Sequence, residues 1–556
     1  MKRTPILCLL AAFVVVLASC KSGNKTGLAI PKDAALVFHI DPQSLSSKLS
    51  WEDIKKTTWF KDAYSQNNDS FAQKMMDNPE ASGVDLKADM AFFIKKRGKG
   101  SYSVFEGGVK DEKAFTAFLQ KAEASSKPEK DGDWNVVKTH NGVTIWNDSK
   151  FAVINDMPMG GMNPMTDGAM GERTRFSTDT LKLFVKQLMA GNDESLFEDD
   201  RFAGIMDEKA DMHFWVNSSE MYADMAGMMS MMKAGSLLKD NAMGGSINFE
   251  DGKIATRFKQ FYGKEIQKAM ANWKFKDIDP AVLDRIPSQN VIGVFAMNLD
   301  PMGIKEIFKT MGLDGMANMF LSKQNLTLDE VLDATKGQFV MALSDLQMKD
   351  TTISYGGEEG GQVSTFTTSR PDMSFLFAAD VAKKATFDKL LTLAKTETPE
   401  LPVTYQLNNE WFVAGNKQDA VTAFAAGNTT KHAFTEKLKG HYCGFYLDIQ
   451  RLLKTEFSKD PSFKSMLGEA AAVWQDVVMV ASEYKDGVAT GEMTINFVDG
   501  KTNSLKQINQ FIEKMNAAKK ANKVAYEDNG VNVYADTTAT FTTPPPPSPA
   551  EPSGKK

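Results

Sequence analysis

The chain has 556 residues and a formal net charge of −6, and removal of a leader carrying Lys2 and Arg3 takes that charge to −8. An acidic chain without basic clusters is a poor nucleic-acid binder, so that class is set aside. The length allows two or more cores, and three cysteines, Cys8, Cys20 and Cys443, are too few and too badly placed for a disulfide framework.

Lys2 and Arg3 open the chain, Ile6 to Leu17 follow as an apolar run, and Leu17-Ala18-Ser19 lead with small residues into Cys20. This reads as a signal peptide over 1–19, too short to span a bilayer. Leu-Ala-Ser-Cys resembles the lipobox of bacterial lipoproteins. That resemblance implies lipidation of Cys20 and a membrane partner through the anchor, at ~0.8 kcal/mol per buried methylene. Lys21 in place of the retention Asp favours the outer membrane, and a tether at 20–29 without acidic residues favours its periplasmic face. About ten residues of tether reach roughly 30 Å at most.

The body is then written twice. A four-residue pattern, Phe, any residue, apolar, Asp or Asn, recurs at Phe38–Asp41, Phe214–Asn217, Phe295–Asn298 and Phe445–Asp448. Each copy predicts a strand that buries its Phe and its apolar residue on one face and ends in a helix cap. Asp41-Pro42 and Asp300-Pro301 suit a cap followed by a first-turn proline. The anchors Phe105, Val109, Phe115 and Leu119 are spaced as Phe377, Val381, Phe387 and Leu391 are. Ala190-Gly191-Asn192 answers Ala426-Gly427-Asn428, and Asp251-Gly252 answers Asp486-Gly487 as a hairpin turn.

The expected fold is α+β, two tandem pseudo-repeats over 30–285 and 286–536, each a mainly antiparallel sheet with helices packed on one face. A Met-rich insertion near 156–175 sets off the first repeat and a Gly-rich one near 350–372 the second. Residues 537–556 form a disordered Pro-rich tail. With the lipobox and the Ile30-Pro31 opening, this body resembles a family of lipoproteins of Bacteroides-type bacteria known only as a domain of unknown function. The resemblance spans most of the mature chain and brings no catalytic residues with it.

Chemistry has few footholds. Met157 to Met170, with Met221, Met225, Met228, Met229 and Met232, offers thioethers that suit Cu(I), but Met is as much a flexible apolar filler. Gly356 to Gly361 is acidic and lies between strands, which makes it a hairpin tip rather than a phosphate loop. Lys95-Lys96-Arg97-Gly98-Lys99 reads as a solvated basic turn with lipid phosphate as the alternative. Ser482 to Lys485 has Ser-x-x-Lys spacing without partner motifs. The five histidines, His39, His140, His213, His432 and His441, are scattered, and Glu198-Asp199-Asp200 is a solvated run. Trp51, Trp59, Trp134 and Trp146 are read as core rather than sugar platforms. Neither a catalytic nor a cofactor nor a metal site is assigned. The functional expectation is a non-enzymatic binding or scaffold protein of the envelope, with a protein or glycan partner. An envelope hydrolase acting on glycan or peptide and soft-metal binding by the Met-rich loop are the alternatives.

Overall fold

The computed structural model describes residues 26–122, 127–157, 174–191, 193–222, 238–355, 364–397, 403–455 and 461–528. The leader, Cys20, most of the Met-rich insertion, the Gly-rich tip and the Pro-rich tail lie outside them.

Residues before Ile286 supply β1 Ala34–Ile40, β2 Met90–Arg97, β3 Gly100–Gly108, β4 Glu129–Asp131, β5 Trp134–Lys138, β6 Gly142–Trp146, β7 Lys150–Asp156, β8 Met212–Asn217, β9 Ala242–Glu250 and β10 Lys253–Phe261. The remainder supplies β11 Val291–Asn298, β12 Gln338–Tyr355, β13 Ser364–Asp380, β14 Thr404–Leu407, β15 Trp411–Gly415, β16 Cys443–Leu447, β17 Trp474–Lys485 and β18 Val488–Phe497. All belong to one 18-stranded sheet. From one edge the order is β4-β5-β6-β7-β3-β2-β1-β8-β9-β10. It continues through β18-β17-β16-β11-β12-β13-β15-β14. Every neighbouring pair is antiparallel, so the fold is α+β.

The motif copies do form strands, and they pair with one another: Phe38 lies opposite Phe214, and Phe295 opposite Phe445. Their last residues cap helices. Asp41 accepts from the Ser44 amide, Asn217 from Ser219 and Glu220, Asp300 from Met302, and Asp448 from Arg451. The expected burial is reversed, however. The intervening His39, Trp215, Ala296 and Tyr446 are the buried residues, while all four Phe are only half-buried. Both faces of these strands are apolar, so alternation alone does not tell which face the helices cover more closely.

The densely packed face carries Val37, Phe93, Val104, Ile154 and Trp215 in the first half, covered by Leu181 and Val185 of the helix Thr178–Met189 and by Phe202 and Ile205 of Asp200–Met206. In the second it carries Val294, Val340, Ala378 and Val478, covered by Val421 and Phe424 of Gln418–Ala425 and by Phe434 and Leu438 of Ala433–Leu438.

Helices also lie on the Phe face, which corrects the one-sided expectation. There the helix Glu112–Ala122 sets Phe115 and Leu119 against Trp146, Val137 and Phe151. The C-terminal helix Ser504–Asp528 reaches the first half, where the Glu513 carboxylate accepts from the Thr58 and Trp59 amides at 2.8 and 3.2 Å.

Candidate functional site

The longest strands create the site. β12 and β13 continue well past their neighbours: β11 leaves β12 at Ser344, and β15 leaves β13 at Leu376. Beyond that point Gln347 to Tyr355 pair with Ser364 to Asp372 alone. The stretch is rich in Thr and Ser, which suits a ribbon wet on both sides. At ~3.3 Å per residue it projects about 30 Å. A register shift between Ser344 and Gln347 marks its root, with Asp345 at a φ of 54°. This left-handed residue is held by Ser288 Oγ at 2.7 Å and Asn290 Nδ2 at 3.2 Å, both donating to its carboxylate.

Between the ribbon and the helix Ile449–Lys454 lies a groove of about 1180 Å³. Its charged lining is Asp345, Lys349, Asp350, Arg451 and Lys454. Arg451 is aimed by two bonds, Nη1 to Asn290 Oδ1 at 2.9 Å and Nε to Asp448 Oδ2 at 3.3 Å. Ser369 Oγ donates to Asp350 at 2.9 Å across the ribbon. At the ribbon base Lys417 lies 2.9 Å from Asp372, and its hydrogen bond holds that carboxyl below the usual carboxylate range. Mixed charge, donors and acceptors in a wide open groove suit an extended polar chain more than a sequestered reaction centre.

Most residues singled out in the sequence take structural places. Lys95 is buried between Asp33 at 2.9 Å and Asp193 at 2.8 Å, Lys96 donates to the Met221 carbonyl, and Arg97 stacks over Phe184. The basic turn is therefore neither simply solvated nor open to phosphate at these residues. Asp199 caps Asp200–Met206 and pairs with Arg201 at 2.7 Å. Trp146 is core, whereas Trp51 is exposed and donates to the Met76 carbonyl. Burial pushes the Cys443 thiol up, as a half-buried, inert cysteine requires.

Met157 is exposed, but the other methionines of its loop, and Met225 to Met232, fall outside the described residues. Among the described residues no group of three His, Cys, Asp or Glu could hold a metal. Ser482 does meet a histidine, its Oγ 2.8 Å from His441 Nδ1. The scattered His39 and His213 also come together, which sequence spacing could not reveal.

Among solved structures, two crystal forms of TP0453 are similar at 10% and 9% identity. They cover 47% and 46% of this chain and 90% of theirs, with TM-scores of 0.25 and 0.26. Likeness at that level carries no argument. No curated protein matches the sequence. A family model described as a domain of unknown function (DUF4836) matches residues 28–397, a stretch that runs from the first buried residues through the ribbon to the end of the helix Lys384–Glu397.

Proposed function

We propose that this chain, which belongs to the DUF4836 family, is a lipid-anchored protein of the outer membrane of Bacteroides-type bacteria. It faces the periplasm and holds an envelope protein or glycan without transforming it. The observation that carries the binding role is the β12–β13 ribbon with the groove at its root. Anchorage rests on Leu17-Ala18-Ser19-Cys20 and on the small and polar residues that follow it in the sequence, Lys21 to Gly27, read as a short tether.

The body is further read as two copies of one unit. Strand order supports this: inward from either outer edge it is the same once β4 and β5 are set aside. Register supports it too, since Phe38 stands between Phe92 and Phe214 as Phe295 stands between Met341 and Phe445. A ribbon carried by one copy alone is then an addition, and additions of this kind are where binding commonly sits.

Photo-reactive residues at Thr351 and Thr367, compared with one at exposed Leu183 on another element, test the binding role in intact cells. Discrete adducts from the ribbon positions and none from Leu183 are expected. The same pattern from all three would refute it. For the anchor, Cys20→Ser should leave an unlipidated precursor that no longer sediments with membranes, and membrane-bound mutant protein would count against the lipobox.

The hydrolase alternative keeps one supporting contact, Ser482 to His441. No described hydrogen bond orients His441 through Nε2. Labelling by a fluorophosphonate, lost in Ser482→Ala, would put that reading first.

A further inference from the structure

Two histidines meet on the densely packed face where β1 runs beside β8. His39 and His213 are direct cross-strand partners, each 4% exposed, with their Nδ1 atoms 3.1 Å apart. His213 Nε2 lies 2.8 Å from the Glu208 carbonyl. A carbonyl only accepts, so this nitrogen carries its hydrogen, and Nδ1 of the neutral ring is a lone pair. The contact between the rings therefore needs the proton on His39 Nδ1, donated to His213. That assignment leaves His39 Nε2 bare. It is buried with no hydrogen-bond partner, and Asp89 Oδ1 stands 3.6 Å away, an ion pair only when the ring is charged.

We infer that this pair is a proton-reading seam between β1 and β8, which admits one added proton and is broken by a second. A proton placed on His39 Nε2 faces Asp89 and leaves the contact between the Nδ1 atoms intact. Only His213 Nδ1 can take the next. Both Nδ1 atoms are then donors, the 3.1 Å contact has no acceptor, and two imidazolium charges confront each other in a buried site.

The surrounding charges do not compensate. The Glu208 carboxylate is engaged by Lys259 of β10 at 2.6 Å and by Ser246 of β9 at 3.3 Å. Asp211, two residues before His213, is held by Ser44, by Lys48 and by the Phe249 amide. Among the described residues Asp89 is the carboxylate within ion-pair distance of the rings, and Glu208, drawn towards Lys259, also favours a charge on His213, yet burial and the His39 charge outweigh both.

Burial, aided by His39 and opposed by the Glu208 carbonyl, holds His213 below the ordinary histidine value of 6.5. A folded-state value below the unfolded one means that the neutral ring's contribution to stability is present above 6.5 and is lost as pH falls. What loosens is central to the sheet. β1 and β8 join β2 and β3 on one side to β9 and β10 on the other. In the other half the strands at the corresponding pairing place Ala296 opposite Gly444, where nothing titrates.

Hydrogen exchange of the mature chain, read peptide by peptide as pH falls from about 7.5 to about 4.5 and corrected for intrinsic rates, tests this. Protection over Val37–Ile40 and Met212–Val216 should drop by about tenfold per pH unit once the second proton binds, while Val477–Tyr484 keeps its protection. In His213→Gln the acid-dependent drop should vanish. Unchanged protection of both strands in the wild-type chain, or an equal drop in His213→Gln, would overturn the inference. So would loosening by a chelator at about pH 7.5, because a metal rather than a proton would then lie between the rings.

Discussion

Glu106 is a carboxylate on β3, 2% exposed, with both oxygens 2.9 Å from the Ala29 amide. It fastens the start of the body to the core. Burial is the larger influence and pushes its carboxyl up to about 7, although the Ala29 hydrogen bond pulls the other way. A value raised above the ordinary 4.5 means that the folded state prefers the neutral acid. This contribution to stability is therefore full below 4.5 and is lost as pH rises through about 7. The loss is on the order of 3 kcal/mol. Denaturant melts across that window should show it in the wild-type chain and not in Glu106→Gln, and parallel pH profiles for the two would contradict the assignment. Residue-scale features of this kind were illegible in the sequence. Phe105-Glu106-Gly107-Gly108 reads only as the end of a strand, and the partner amide is 77 residues away. The same holds for His39 and His213, which meet only because β1 pairs with β8.

Elements were more legible, because caps and turns are local. Asp41, Asn217, Asp300 and Asp448 cap helices as their chemistry demands. Asp486 and Gly487, with φ of 50° and 81°, turn the β17–β18 hairpin as Asp-Gly should. Packing between elements was less legible. Phe115 is 3% exposed, whereas Phe387, its counterpart in spacing, is half-buried. The helix of Phe115 lies over Trp146 and Val137 and is flanked by Phe71, 5.9 Å from Phe118. Phe387 stacks on Phe412 at 5.4 Å, and among the described residues no strand like β5 lies beneath it. Phe115→Ala should then cost ~3–5 kcal/mol in a thermal or denaturant melt, and Phe387→Ala distinctly less. Equal costs would show that the two helices are packed alike after all. The ribbon was legible as an insertion with a hairpin tip, but the length of its two arms was not: they pair from Gln347 with Asp372 to Tyr355 with Ser364.

At the scale of the whole molecule, a matching series of sequence anchors leads to the reading of two similar halves proposed above. What the sequence did not reveal is that the halves are zipped into one sheet. Lys253 to Phe261 of β10 pair with Val488 to Asn496 of β18, and Arg257 lies 3.3 Å from Glu492 across that seam. Long-range pairing leaves no local mark, and both strands read as ordinary hairpin arms. The ribbon and the His39–His213 pair belong to one continuous sheet only through this seam. A cysteine pair tests it most directly, because Arg257 and Glu492 are both exposed and direct cross-strand neighbours stand within disulfide reach. Arg257→Cys with Glu492→Cys should form a disulfide in mild oxidant, seen as a linked peptide by mass spectrometry, while Arg257→Cys with Thr490→Cys should form little. Absence of the first link, or equal yields from the two pairs, would contradict the continuous sheet.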